Sequence, residues 1–230
     1  MSTRHFTKTG EAARLAAEVE GLEALRSAGA PVPRVISLQG DQLVLERLDL
    51  GAAPDWPAMG RMLAALHRHT APRFGWSSDN WIGLAPQANA WCDDWSDFFL
   101  TYRLSPQAQR AGIPLPDVKK ILQGHRPQAS LLHGDLWSGN AGFTPGGPVI
   151  FDPAVYYGDR EADLAMTELF GGFPEAFYAS YRKELPLDAG YETRKHLYNL
   201  YHLLNHLNLF GAGYRGQVSA TLGLLRDRLQ

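Results

Sequence analysis

Residues 131–152, LLHGDLWSGNAGFTPGGPVIFD, decide how this chain is read. His133-Gly134-Asp135 is followed by Asn140, five residues after the aspartate, and by Asp152, seventeen after it. The apolar Val149-Ile150-Phe151 leads directly into Asp152, so a strand should deliver that carboxylate to its open end. Hard oxygen ligands such as these suit Mg²⁺, which usually takes only one or two from a protein. A separate carboxylate on a loop can accept a hydroxyl proton and align the attacking oxygen. An Asp, an Asn five residues on and a later Asp at a strand end together meet the needs of phosphoryl transfer from Mg-ATP. Asp135 is therefore the candidate base, and Asn140 and Asp152 are the candidate metal ligands.

Outward from this stretch, residues 11–28 (EAARLAAEVEGLEALRSA) space Leu15, Val19, Leu22 and Leu25 three or four apart. This predicts an amphipathic helix, stopped by Gly29 and Pro31. Residues 32–38 and 42–48 predict two strands about a tight turn at Gly40-Asp41. The pattern breaks between Gly51 and Pro57, which divides the chain into a 1–50 unit and a 51–230 unit. Helices are expected over 59–69, 94–111 and 116–122, with an irregular loop across 71–91. Beyond Arg160 the pattern is mostly helical, with breaks near Pro186 and over 211–216. Strands early and helices late give an α+β chain.

The 230 residues are 45% apolar and 20% charged, an ordinary globular balance. With 22 Lys+Arg against 24 Asp+Glu the net charge is −2, so neither a nucleic acid nor an anionic membrane is an expected partner. Cys92 is the single cysteine, which excludes an intramolecular disulfide and fits a reducing cytosol. No apolar run reaches about 18 residues, and MSTRHFTKTGEAAR lacks a signal-peptide core. A soluble, cytoplasmic protein is expected.

The string LLHGDLWSGN, followed by DPAVYYGDREADLAM, ELFGGFPEAFYASY and NLYHLLNHLNLFG, resembles the fructosamine/ketosamine kinase family, within the aminoglycoside-phosphotransferase and choline-kinase-like group. AEVEGLEAL, LVLERL and FGWSSDNWIGLAPQANAWCDDWSDFFLTYRL are similar to it as well, so the resemblance runs from about Phe6 onward. It implies a protein-kinase-like two-lobed fold with a small N-terminal β lobe and a mainly α-helical C-terminal lobe. It also implies ATP- and Mg²⁺-dependent phosphorylation of a sugar hydroxyl on a ketosamine (a ribulosamine or fructosamine), which then breaks down to release the amine. On the same resemblance Lys8 contacts the ATP phosphates and Glu18 is its helix partner. Glu46 and Leu48, in the string LERL, belong to a hinge whose backbone holds adenine. His133 is structural. Trp137 stacks on the sugar, although as a residue it is equally a packed loop anchor.

Two departures qualify that picture. Members of the family begin with a glycine-containing strand–turn–strand ahead of the lysine, whereas seven residues precede Lys8 here. The Lys8–Glu18 spacing is also a few residues short. A truncated N-terminal lobe is thus expected, with weakened nucleotide binding and an open sheet edge that permits a monomer or a weak homodimer. Two alternatives stay open: another small-molecule kinase of the same superfamily, or a catalytically impaired ketosamine-binding protein. Of the remaining candidates, His202 and His206 read as core or surface histidines rather than a metal pair. Asp93, Asp94 and Asp97 read equally as a helix start or as the lining of an amine pocket.

Overall fold

Strand β1 (His5–Thr9) ends at Gly10, and helix α1 (Ala12–Ser27) begins almost at once. That connection is so short that Lys8 and Glu18 face each other despite their close spacing. The computed structural model describes residues 5–229. After α1 come β2 (Val35–Gln39) and β3 (Gln42–Glu46), joined at Gly40-Asp41 as the sequence predicts. They form an antiparallel sheet in the order β1-β3-β2, so β1 is an edge strand.

Helix α2 (Trp56–His67) follows, its N-terminus capped by the Asp55 side chain, which accepts from Ala58 N at 2.9 Å. Strand β4 (Thr70–Ala71) comes next. The expected irregular loop over 71–91 instead contains a hairpin, β5 (Asn80–Ile82) and β6 (Ala85–Gln87). Its strands are too short for an alternation signal, and Asn80 is fixed from outside by donating to Val155 O at 2.8 Å. The helix expected over 94–111 runs as α3 (Trp95–Phe99), a π-helical stretch at Leu100–Leu104 and α4 (Ser105–Ala111). Residues 118–122 form a 3₁₀ helix rather than an α-helix; with Pro116 before it and Gly124 after it, the segment has little room to extend.

Strands β7 (Ala129–Leu132), β8 (Ala141–Thr144), β9 (Gly147–Ile150) and β10 (Tyr156–Gly158) then build the region around the HGD loop. Strand β7 lies centrally between β10 and β4, and β8 pairs with β9 as a hairpin. Helices α5 (Glu161–Leu169), α6 (Glu175–Glu184), α7 (Tyr191–Phe210) and α8 (Arg215–Asp227) complete the chain.

Two apolar clusters hold these elements. One joins Trp95, Phe98 and Phe99 to Tyr198, Tyr201 and Leu204 of α7. Inside it the fully buried Arg103 places its guanidinium 4.0 Å from the Tyr156 ring centre and donates to Ala88 O at 2.7 Å. The other cluster joins Leu15, Leu22, Leu43 and Leu45 to Leu63 of α2, and also takes in Phe177 of α6. The N-terminal sheet and α1 therefore share a core with later helices, and α1 comes to rest against Pro153 and Val155.

Candidate active site

The HGD loop is fixed from beneath by one buried carboxylate. Asp163, on α5, accepts from His133 N at 2.7 Å and from Gly134 N at 2.9 Å, and His67 Nε2 lies 3.2 Å from its Oδ2. Burial alone would raise the Asp163 carboxyl. The His67 contact, the nearby histidines and the loop N–H groups instead hold it below the usual range. Gly134 has φ +82°, and a β-carbon there would lie 2.0 Å from Ala154 O, so the loop passes too close to the next strand for any side chain.

His133 is buried and joins the two halves of the motif. One ring nitrogen, Nε2, donates to Phe151 O at 3.0 Å, and the other, Nδ1, accepts from Asp135 N at 3.3 Å. Burial pushes its pKa down, which favours the neutral ring that this pattern requires. Asn140 donates to Asp135 O at 2.8 Å and to Asp135 Oδ2 at 3.2 Å. Its backbone carbonyl accepts from Phe151 N at 3.0 Å, which ties Asn140 to the residue before Asp152. Burial raises the Asp135 carboxyl to about 7; the Asn140 N–H opposes the shift and the Asp152 and Asp163 charges add to it.

Asp152 is the one non-glycine among the described residues with a left-handed backbone, at φ +58°. Strain of this kind at a carboxylate that ends a strand is a recurrent mark of functional positions. Lys8 Nζ donates to both Asp152 and Glu18, the latter at 2.7 Å. Burial alone would lower Lys8, but the Asp152 and Glu18 charges outweigh it and hold the ammonium above its ordinary range. Glu18 is pushed up by its own burial, against the pull of Lys8.

Beside the Lys8–Asp152 pair a cleft of about 420 Å³ is lined by Phe6, Leu45, Glu46, Leu48 and Phe151. The Glu46 carboxylate is occupied by Arg34, from Nε at 3.3 Å, and the Glu46 N–H donates to Arg34 O at 2.8 Å. Leu48 N–H has no acceptor among the described residues. Trp137 is 37% exposed and meets Phe170 edge to face, with ring centres 6.3 Å apart. Phe170 in turn packs on His206, 4.6 Å between centres.

Sequence reasoning missed three residues that shape this site: Asp163, His67 and Glu20. Glu20, on α1, accepts from Trp76 Nε1 at 2.8 Å and from Ser78 Oγ at 2.9 Å. An acid set among the apolar residues of α5 was the available signal for Asp163. The other candidates take ordinary roles. Asp94 caps α3 by accepting from Asp97 N at 3.0 Å, Asp93 pairs with Arg73 and Asp97 with Lys119. His206 Nδ1 bonds to His202 O at 2.9 Å, which removes one ring nitrogen from any metal pair. One further grouping, His125, Asp159 and Glu161, is internally satisfied: Asp159 takes His125 and Tyr198, and Arg194 takes both Glu161 oxygens.

The fructosamine kinase family profile matches residues 2–227. A Synechocystis protein named as a probable ketoamine kinase is 48% identical, over 95% of this chain and 82% of the relative. The chloroplastic protein-ribulosamine 3-kinase of Arabidopsis thaliana is 39% identical, over 98% of this chain and 76% of its own. The crystal structure of a Haemophilus somnus 129PT protein assigned as a fructosamine-3-kinase superposes with a TM-score of 0.89 at 31% identity, covering 98% of this chain and 84% of that one. A choline/ethanolamine kinase family protein from Mesorhizobium loti shares the fold alone, with a TM-score of 0.61 at 14% identity over 99% of this chain and 82% of that one. With the family profile spanning nearly every residue, and relatives 48% and 39% identical along most of their own length, this chain belongs to the fructosamine kinase family.

Proposed function

We propose that this chain transfers the terminal phosphoryl group of ATP to a sugar hydroxyl of a ketosamine, a ribulosamine or fructosamine, so that the glycated amine can then be released. The observation that carries this reading is the pairing of Asp135 with Asn140, tied through Phe151 N to the segment bearing Asp152, whose carboxylate Lys8 engages beside the cleft. Asp135 accepts the hydroxyl proton as the new O–P bond forms and the bond to the ADP leaving group breaks. Trp137, exposed beside it, offers a flat apolar face to the sugar ring. Leu48 N–H and the Glu46 backbone hold adenine. Lys8, kept in place by Glu18, holds the phosphates.

Asn140 and Asp152 fit a magnesium ion. Both are hard oxygen donors, Asn140 Oδ1 has no partner among the described residues, and the Asp152 side chain is 46% exposed. When bound, magnesium neutralises charge on the phosphates during transfer. Asp152→Asn is expected to weaken Mg-ATP binding and turnover together. Asn140→Ala should do the same in milder form, because a neutral ligand contributes less to a divalent cation. Calorimetry with Mg-ATP, run beside steady-state rates, checks both. The net charge of −2 supports a protein that works without nucleic acid or a membrane surface, and among the described residues no helix is long and apolar enough to cross a membrane. The cytoplasm, and a monomer or weak homodimer, complete the proposal. The test of function is direct: purified protein, Mg-ATP and ribulosyl- or fructosyl-lysine should yield ADP and a phosphorylated ketosamine. ATP consumption that ignores ketosamines, or a preference for choline or an aminoglycoside, would overturn the assignment.

A further inference from the structure

The nucleotide cleft does not end at the Lys8–Asp152 pair. On its other side lies a smaller cavity of about 120 Å³, which shares Lys8 and Asp152 with the cleft and adds Arg14, Glu18, Asn80 and Trp81. Arg14 stands one helical turn before Glu18 on α1, half-buried. Its guanidinium lies across Gly10: a β-carbon at that position would stand 2.4 Å from Nη2. The turn between β1 and α1 thus leaves room for this group and brings it beside the pair.

No described residue accepts a hydrogen bond from Arg14. The nearest acid on its own helix face, Glu18, is already engaged by Lys8 Nζ, and Asp152 is engaged by the same ammonium. Lys8 therefore engages both carboxylates directly, whereas Arg14 attracts Glu18 without a hydrogen bond and keeps its donors open to the cavity. A guanidinium offers five donors and no acceptor, in a planar fork that matches phosphate oxygens. On the nucleotide reading, with adenine at Leu48, the phosphates would run toward Lys8 and Asp152, the two residues through which the cleft adjoins the cavity that Arg14 lines.

We infer that Arg14 is a ligand for the terminal phosphoryl group of ATP, discriminating ATP from ADP and stabilising that group as it transfers. The inference rests on the nucleotide reading of the cleft. Affinities for ATP and ADP are to be measured by calorimetry for the unaltered protein, R14M and R14K, with thermal unfolding of each in parallel. R14M should lose about tenfold or more in ATP affinity, as expected for charge-assisted hydrogen bonds, while its ADP affinity stays within about twofold. R14K should recover part of the ATP loss. Equal losses for both nucleotides, or no loss for either, would overturn the assignment. So would a lower unfolding temperature with an unchanged ATP-to-ADP ratio, since that is what an Arg14 that only supports α1 produces. An unaltered protein that binds neither nucleotide would remove the kinase reading itself, an outcome distinct from a failure of Arg14 alone.

Discussion

Asp135→Asn is expected to slow phosphoryl transfer by about 10²–10⁴, the usual loss for a positioned general base, and to leave ATP affinity nearly unchanged. The amide keeps the shape of the side chain and its place beside Asn140, 3.2 Å from Oδ2 in the native protein. What it loses is the charge that takes the proton. Because that charge faces the acceptor hydroxyl rather than the nucleotide, the effect should fall on turnover. Measured side by side, Asp152→Asn should show the opposite emphasis, with nucleotide binding weakened as well. An Asp135→Asn variant that no longer bound nucleotide, next to an Asp152→Asn variant that bound it normally, would reverse the two roles.

The largest effect on stability should come from Asp163→Ala, about 3–5 kcal/mol by urea unfolding at pH 7. The carboxylate is 1% exposed and faces the N–H groups of His133 and Gly134 and the ring of His67, all buried. Removing it strands three polar groups at once. Asp163→Asn should not rescue the fold fully, since its NH₂ would point a donor at a donor. The pH dependence has a definite sign. The folded pKa of Asp163 lies below its ordinary 3.8, so the unfolded chain takes up the proton first. Its contribution is complete above pH 3.8 and is lost as the pH falls through the lower folded value. The gap between the native protein and Asp163→Ala should therefore be widest near neutrality and close in acid. A gap below about 1 kcal/mol at pH 7 would mean that the HGD loop is held by something else.

The parts legible in the sequence were those whose cause is local. Helix α1 announces itself through Leu15, Val19, Leu22 and Leu25, and the β2–β3 turn through Gly40-Asp41. The HGD, Asn140 and Asp152 spacing stands in one short stretch, so its residues had to meet. What stayed hidden depends on distant partners. The hairpin at Asn80–Gln87 is anchored by Val155 and Ala154, more than sixty residues away. Asp163 lies twenty-eight residues beyond Asp135, and its place among the apolar residues of α5 marks it as a buried acid without saying which loop it supports. The short Lys8–Glu18 spacing looked like a defect, yet the tight turn at Gly10 closes the ion pair without the extra residues.

Glu20 has a consequence for control. In kinases that are switched, the helix bearing the lysine's partner swings away and breaks the ion pair. Here that helix is tethered two residues further on, because Glu20 is bound to the indole of Trp76 and the hydroxyl of Ser78. Gly21 lets the same face sit against Pro153, just past Asp152. Withdrawing the helix would sacrifice both charge-assisted bonds, about 4 kcal/mol together, which leaves the disengaged form at roughly one molecule in a thousand. The tether therefore favours the engaged helix, with the Lys8–Glu18 pair closed.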